Sequence, residues 1–337
     1  MFYDYRREEV ILKMLLDIKP LHGSGYNCLE DLFASTAVWL GREYMLMFER
    51  CWDFEYQPPG DSTRLLGERI FEGADHYWPS IEKYHGIKGV WFENVENPWE
   101  LIKQEIQGGR PVVINIDAFW IPLAHTYQIQ HQNHFILAIG YDDAKDQVFY
   151  IDPYLSNNLN TISMDILSQS GANYVGLVFE DINREALNWQ EVIRESLQWT
   201  GRKKEDGSNC FSSIRLFADE VESSLDIGNE IKDYKFESII PLFFNLFGIG
   251  SNRFKYGRLL YYVAHSFQVK DLLPLRKRFE KLAWDWYEIR STLMKAGRGT
   301  IDDMSSIKRK ISFMLREIAG EEENLFKTIS QICGSGE

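Results

Sequence analysis

The stretch His134-Phe135-Ile136-Leu137-Ala138-Ile139-Gly140-Tyr141-Asp142 is followed, after Asp143-Ala144-Lys145-Asp146-Gln147, by Val148-Phe149-Tyr150-Ile151-Asp152-Pro153. Both halves are apolar runs of strand length rich in β-branched and aromatic residues. The short charged turn Asp142–Asp146 between them predicts an antiparallel hairpin. Val112–Ile116 and Tyr174–Phe179 are further runs of this kind. Upstream, Leu32, Phe33, Thr36, Leu40, Tyr44 and Met47 recur at helical spacing, which predicts a helix from about Leu29 to Phe48 with Asn27 as its N-cap. Asp61–Arg69 and Pro98–Ile106 read as two more helices. An early helix followed by a run of strands is an α+β pattern, not βαβ alternation.

Past Phe179 the period changes. Glu185–Trp199 is amphipathic, Thr200–Ser208 is a polar loop, and everything from Phe211 onward is helical in spacing. Leu272, Leu275, Phe279, Leu282, Trp286, Ile289 and Leu293 form one stripe, and Met304, Ile307, Ile311, Met314 and Ile318 form another. With Gly297–Gly299 as the turn between them, these predict an antiparallel helix pair. The expected organisation is a catalytic domain over residues 1–180 and an α-helical domain over 181–337, with the boundary near 180–208.

A chain of 337 residues is long enough for two domains, and its 45% apolar content is that of a packed globular protein. The 10 Trp, 17 Tyr and 21 Phe are expected mainly in cores. A net charge of −13 disfavours broad binding to nucleic acid or to an anionic membrane, so neither is an expected partner. The basic clusters Arg202-Lys203-Lys204, Arg276-Lys277-Arg278 and Lys308-Arg309-Lys310 read first as solvated faces. Cys28, Cys51, Cys210 and Cys333 show no paired spacing and read as free thiols in a reducing cytoplasm. Met1–Arg7 lacks the pattern of a signal peptide, and no run has the length of a membrane span. There is no Walker loop and no dinucleotide fingerprint.

Chemistry concentrates at three positions. Cys28, in His22-Gly23-Ser24-Gly25-Tyr26-Asn27-Cys28-Leu29-Glu30-Asp31, stands in the first turn of the predicted helix, where free N–H groups favour a thiolate. Glu30 and Asp31 oppose that charge, so an imidazolium is required to outweigh them. His134 is the expected source, and Asp152, at the end of the return strand 18 residues on, is placed to orient the ring. A thiol, an imidazole and a carboxylate in this order make Cys28, His134 and Asp152 the expected catalytic residues of a papain-like site. Asp117 either faces the cleft or caps a turn; His22, Gly23 and Gly25 either bring backbone close to substrate or form a plain turn. His125, His131 and His134 lack the carboxylate or Cys pattern of a metal site, and no metal is expected.

At these residues the chain resembles the butirosin-biosynthesis protein H family. The resemblance rests on Gly25-Tyr26-Asn27-Cys28, the strand Pro111–Asp117, Ile121-Pro122-Leu123, and His134 to Asp152. In the second half it rests on Gly207–Ala218 and Arg258–Ala264. It implies a papain-like cysteine-peptidase fold followed by a mostly α-helical domain. It also implies transfer of an acyl or aminoacyl group from an acyl carrier protein's phosphopantetheine thioester to an amine, in natural-product (antibiotic) biosynthesis. Cys28 would match the nucleophile, His134 the base and Asp152 the orienting acid, with Tyr26, Asn27 and Asp117 as the residues expected to contact substrate. Where relatives often carry His before the nucleophile, this chain has Asn27. No bound cofactor is implied, because phosphopantetheine arrives with the donor, and Arg202-Lys203-Lys204 is the expected docking cluster for that carrier. The same trio would also serve a cysteine peptidase or amidase, and a non-catalytic binding protein on this fold is the remaining alternative.

Overall fold

The computed structural model describes residues 13–60, 63–72, 77–183, 187–204, 207–299 and 303–334. Met1–Arg7, Asp61, Glu185, Glu205 and Asp206, on which parts of the sequence reading fall, lie outside the described residues. The first elements are β1 (Lys13–Leu15), α1 (Cys28–Trp39), β2 (Glu55–Tyr56), β3 (Ile70–Phe71), α2 (Tyr77–His85), β4 (Ile87–Phe92) and α3 (Pro98–Gln107). Then come β5 (Val112–Asp117), β6 (Asn133–Asp142), β7 (Gln147–Asp152), β8 (Ser156–Ser163), α4 (Met164–Ser170) and β9 (Gly171–Phe179). The chain continues through α5 (Trp189–Gly201), α6 (Cys210–Ser224), α7 (Ile227–Ile231), α8 (Pro241–Ser266), α9 (Leu273–Gly297) and α10 (Met304–Gly334). The protein is thus of mixed α and β type with an antiparallel sheet.

The residues divide into two compact units. One holds the chain up to Glu43 together with Gly86–Glu180; the other holds Tyr44–His85 together with Asp181–Glu337. This differs from a single stretch 1–180, because residues 44–85 gather with the helices. Side-chain chemistry accounts for the difference: the fully buried Trp52 meets the rings of Phe211, Tyr256, Phe279 and Phe326, and Phe54 meets those of Phe217 and Trp286. Rings of this size find their buried area only among the aromatic residues of the later helices.

In the first unit the sheet runs β4-β9-β5-β6-β7-β8, all antiparallel, and β1 pairs with the far end of β6. The predicted hairpin is β6–β7, and Asp146 takes the left-handed conformation in its turn with φ 54°. Helices α1 and α3 lie against β6. Helix α1 is buried from Leu29 through Ala37 on every side, which makes it a core helix rather than an amphipathic one. It stops at Trp39 instead of running to Phe48. Gly41, at φ 67°, lets the Arg42 N–H return to Ala37 O at 2.8 Å, a closure that ends the helix. Asp61–Arg69, expected as a helix, forms only a short 3₁₀ turn at Leu66–Arg69 within its described part.

In the helical unit both predicted stripes are largely buried, and the two helices touch each other, but neither is the other's main partner. Helix α9 lies chiefly along α8, and α10 chiefly along α6. At the centre Arg253 and Glu322, both fully buried, pair through two 2.9 Å hydrogen bonds, and Trp52 Nε1 donates to the same carboxylate at 2.9 Å. Two donors in a fork plus a third leave little of that carboxylate unsatisfied, which is what a buried charge requires.

The basic clusters are largely paired. Arg276 meets Glu280, Arg278 meets Glu321 and Lys310 meets Glu288. Arg202 donates to Asp53 and Glu55 at 2.6 and 2.7 Å and stacks on Trp199, while Lys204 donates to Phe54 O at 3.2 Å. Asp53 is 1% exposed, so Arg202→Glu sets a third carboxylate against Asp53 and Glu55, with Asp53 buried. A loss of roughly 3 kcal/mol is expected, read as a lowered urea midpoint, before any effect on docking is felt.

Among the described residues, no helix is long and apolar enough to cross a membrane.

Candidate active site

The loop before α1 is built to present Cys28. Gly25 sits at φ 82°, a conformation in which a β-carbon would be strained. Tyr26 N–H returns to Gly23 O at 2.9 Å, and the Tyr26 ring lies so close to Gly23 that a β-carbon there would collide with it at 2.3 Å. The segment is a tight turn, and Tyr26 is a buried packing residue rather than one facing substrate. Asn27 closes a capping box: its side chain accepts the Glu30 N–H at 2.9 Å and Glu30 accepts the Asn27 N–H at 2.8 Å. Both groups are therefore used in starting the helix, and Cys28 follows as the first helical residue.

His134 and Asp152 come together through strand register. Leu137 faces Ile151 across β6–β7; one step further puts Asp152 opposite Ile136, two residues from His134 and on the same face. The β7–β8 register shifts between Ile151 and Asp152, an irregularity of the sort that re-aims a side chain. His134 Nε2 donates to Asp152 Oδ2 at 2.8 Å, and the other carboxylate oxygen accepts the Leu155 N–H at 3.3 Å. Asp152 is fully buried and His134 is 7% exposed.

Cys28 lies close enough to His134 to raise the ring's pKa through both hydrogen bonding and charge. With Nε2 engaged by Asp152, Nδ1 is the nitrogen that meets the thiol. Burial works against a charged ring, but Asp152 and Cys28 together outweigh it and push the His134 pKa from 6.5 up to about 10. Cys28, His134 and Asp152 thus lie together as one contiguous group.

The acidic neighbours are handled locally. Asp31 is fully buried, accepts the Gly23 N–H at 2.9 Å and pairs with His22 Nδ1 at 2.7 Å. Burial raises its pKa to about 6, against the pull of Gly23 and His22.

Two features escaped the sequence reading. Tyr154, in the turn after β7, has its ring 6.1 Å from that of His134 and 6.4 Å from that of His22. Its phenol pKa is raised by burial and then by the charges of Cys28, Asp31 and Asp152. The second feature is the His22–Asp31 pair itself. The sequence holds a signal for it, since Asp31 stands one turn beyond the thiol on a helix with nothing else to neutralise it.

Asp117 belongs to another arrangement. One of its oxygens accepts the N–H groups of Phe119 and Gln132, and the other meets His131 at 2.5 Å, so it caps the turn after β5. Among the described residues, no three His, Cys, Asp or Glu side chains group as metal ligands would.

An antiparallel sheet whose adjoining strands present an imidazole and a carboxylate to a thiol at a capped helix start defines a cysteine–histidine–aspartate site in an α+β protein. Residues 42–153 match the family model described as Butirosin biosynthesis protein H, N-terminal, so that about a third of the chain is similar to that family. The matched segment includes His134 and Asp152; Cys28 precedes it. No curated protein matches the chain.

Proposed function

We propose that this protein is a cysteine-dependent acyltransferase on a papain-like fold, moving an acyl or aminoacyl group from a carrier-protein thioester to an amine in natural-product biosynthesis. The observation that carries this reading is the contact of Cys28 with a His134 held charged by Asp152. A thiolate of this kind attacks a thioester carbonyl, forming one C–S bond as the carrier's C–S bond breaks; His134 gives its proton to the departing pantetheine sulfur. The amine then attacks the acyl-enzyme, His134 takes its proton, and Cys28 leaves as the thiolate. The Cys28 backbone N–H has no intrahelical partner and is suited to the oxyanion of both steps. The similarity of residues 42–153 to a family of biosynthesis proteins supports a biosynthetic role, and the donor's pantetheine makes a bound cofactor unnecessary.

Incubation with an acyl-carrier thioester and a primary amine tests the proposal by product analysis. Amide as the main product is expected. Free acid as the only product would favour a hydrolase with the same three residues.

A further inference from the structure

The site carries two imidazole–carboxylate pairs, not one. His134–Asp152 is the first. In the second, His22 Nδ1 meets the fully buried Asp31 at 2.7 Å, and Asp31 stands three residues after Cys28 on α1, hence on a neighbouring face of that helix. The Tyr154 ring is a neighbour of both, 6.4 Å from that of His22 and 6.1 Å from that of His134. After burial, the charges that raise its phenol pKa are those of Cys28, Asp31 and Asp152, a member of each pair among them. With Nδ1 engaged, Nε2 of His22 is the nitrogen left for a substrate, and the side chain is 42% exposed.

We propose that His22, oriented by Asp31, is a second proton acceptor of this site and serves an acceptor amine that arrives as an ammonium ion. The proposal rests on the acyl-transfer reading and narrows its acceptor to alkylamines that are protonated in water. Proton accounting is what requires it. Water attacking an acyl-enzyme gives up one proton, and a single base suffices. An alkylammonium must lose one proton to gain a lone pair and a second as the amide forms. The first passes to His22 Nε2 and from its exposed side to solvent. The neutral amine then attacks, the C–N bond forms, and its second proton passes to His134. The C–S bond breaks with its electrons returning to Cys28, which restores the thiolate–imidazolium pair. Asp31 is a positioning residue: its carboxylate fixes the ring and supports the charge that His22 takes up.

The test compares two nucleophiles on the acyl-enzyme formed from an acyl N-acetylcysteamine thioester. Butylamine is protonated at pH 7, whereas hydroxylamine is already neutral. His22→Gln can still donate to Asp31 but cannot accept a proton. The ratio of butylamide to hydroxamate is expected to fall tenfold or more in this variant. It should recover as pH is raised toward about 10, where the alkylamine supplies its own neutral form. A ratio equal to that of the unaltered protein overturns the assignment, and so does a variant that no longer becomes acylated, which would put His22 in the first half-reaction or in the fold. Failure of the underlying reading looks different: the unaltered protein itself would form no acyl-enzyme, or would yield acid alone with both nucleophiles.

Discussion

Cys28→Ala is expected to abolish acyl-enzyme formation, with residual activity at the level of the uncatalysed reaction. The argument begins with access. Cys51, Cys210 and Cys333 are 0%, 1% and 6% exposed, whereas Cys28 is partly open. Burial raises the Cys210 pKa well above its ordinary value and pushes that of Cys333 to about 11, which leaves both as protonated, unreactive thiols near neutrality. Cys28 alone has an imidazolium in contact. Iodoacetamide at pH 7 should therefore modify Cys28 on the order of a hundredfold faster than the other three, and His134→Ala should remove that advantage. The alanine variant keeps the Asn27–Glu30 capping box, so its stability should fall by no more than about 1 kcal/mol. Faster labelling of another cysteine would move the nucleophile elsewhere.

Asp152→Asn is expected to lower turnover by about 10⁴ while leaving the sheet intact. Asn can still accept the Leu155 N–H, so the turn after β7 survives. What it cannot do is hold an imidazolium. The amide either presents an N–H to the His134 Nε2–H or forces the ring into the other tautomer, and in both cases the proton faces the wrong atom. The pH dependence gives the same role an independent readout. In the unaltered protein the His134 pKa is raised from 6.5 to about 10, so the ring stays charged through neutrality. Its contribution to stability is complete below the ordinary value and is withdrawn as pH rises through about 10. In Asp152→Asn the ring should titrate at lower pH, and the loss of stability should move down with it. The His134 ring-proton chemical shift followed from pH 5 to 11 reports this directly. A variant with full turnover and an unmoved titration would remove Asp152 from the mechanism.

The hairpin from His134 to Asp152 was legible because both strands are buried and therefore written in long apolar runs. Cys28 was legible because a cap and a helical period mark the start of α1. Strand β8, Ser156-Asn157-Asn158-Leu159-Asn160-Thr161-Ile162-Ser163, was not: it is a mostly solvent-facing edge strand with a polar sequence that resembles a loop. The three residues of β1 are too few to carry a period. The placement of residues 44–85 with the helices depends on which distant aromatic residues receive Trp52 and Phe54, information that no local window contains. The partners of α9 and α10 were missed for a related reason. Each stripe shows that a helix has a buried face, but not which helix covers it. Asp31 was read as an obstacle to the thiolate because its partner His22 lies nine residues back, across a turn whose geometry depends on Gly25.

Intact-mass analysis after brief exposure to an acyl thioester tests the central claim most directly. The account predicts one added acyl group on the unaltered protein, mapped by proteolysis to the peptide holding Cys28, absent in Cys28→Ala and discharged by a primary amine to give an amide. An adduct on any other residue, or none across a range of acyl thioesters while Cys28 remains the fastest thiol to alkylate, would contradict it.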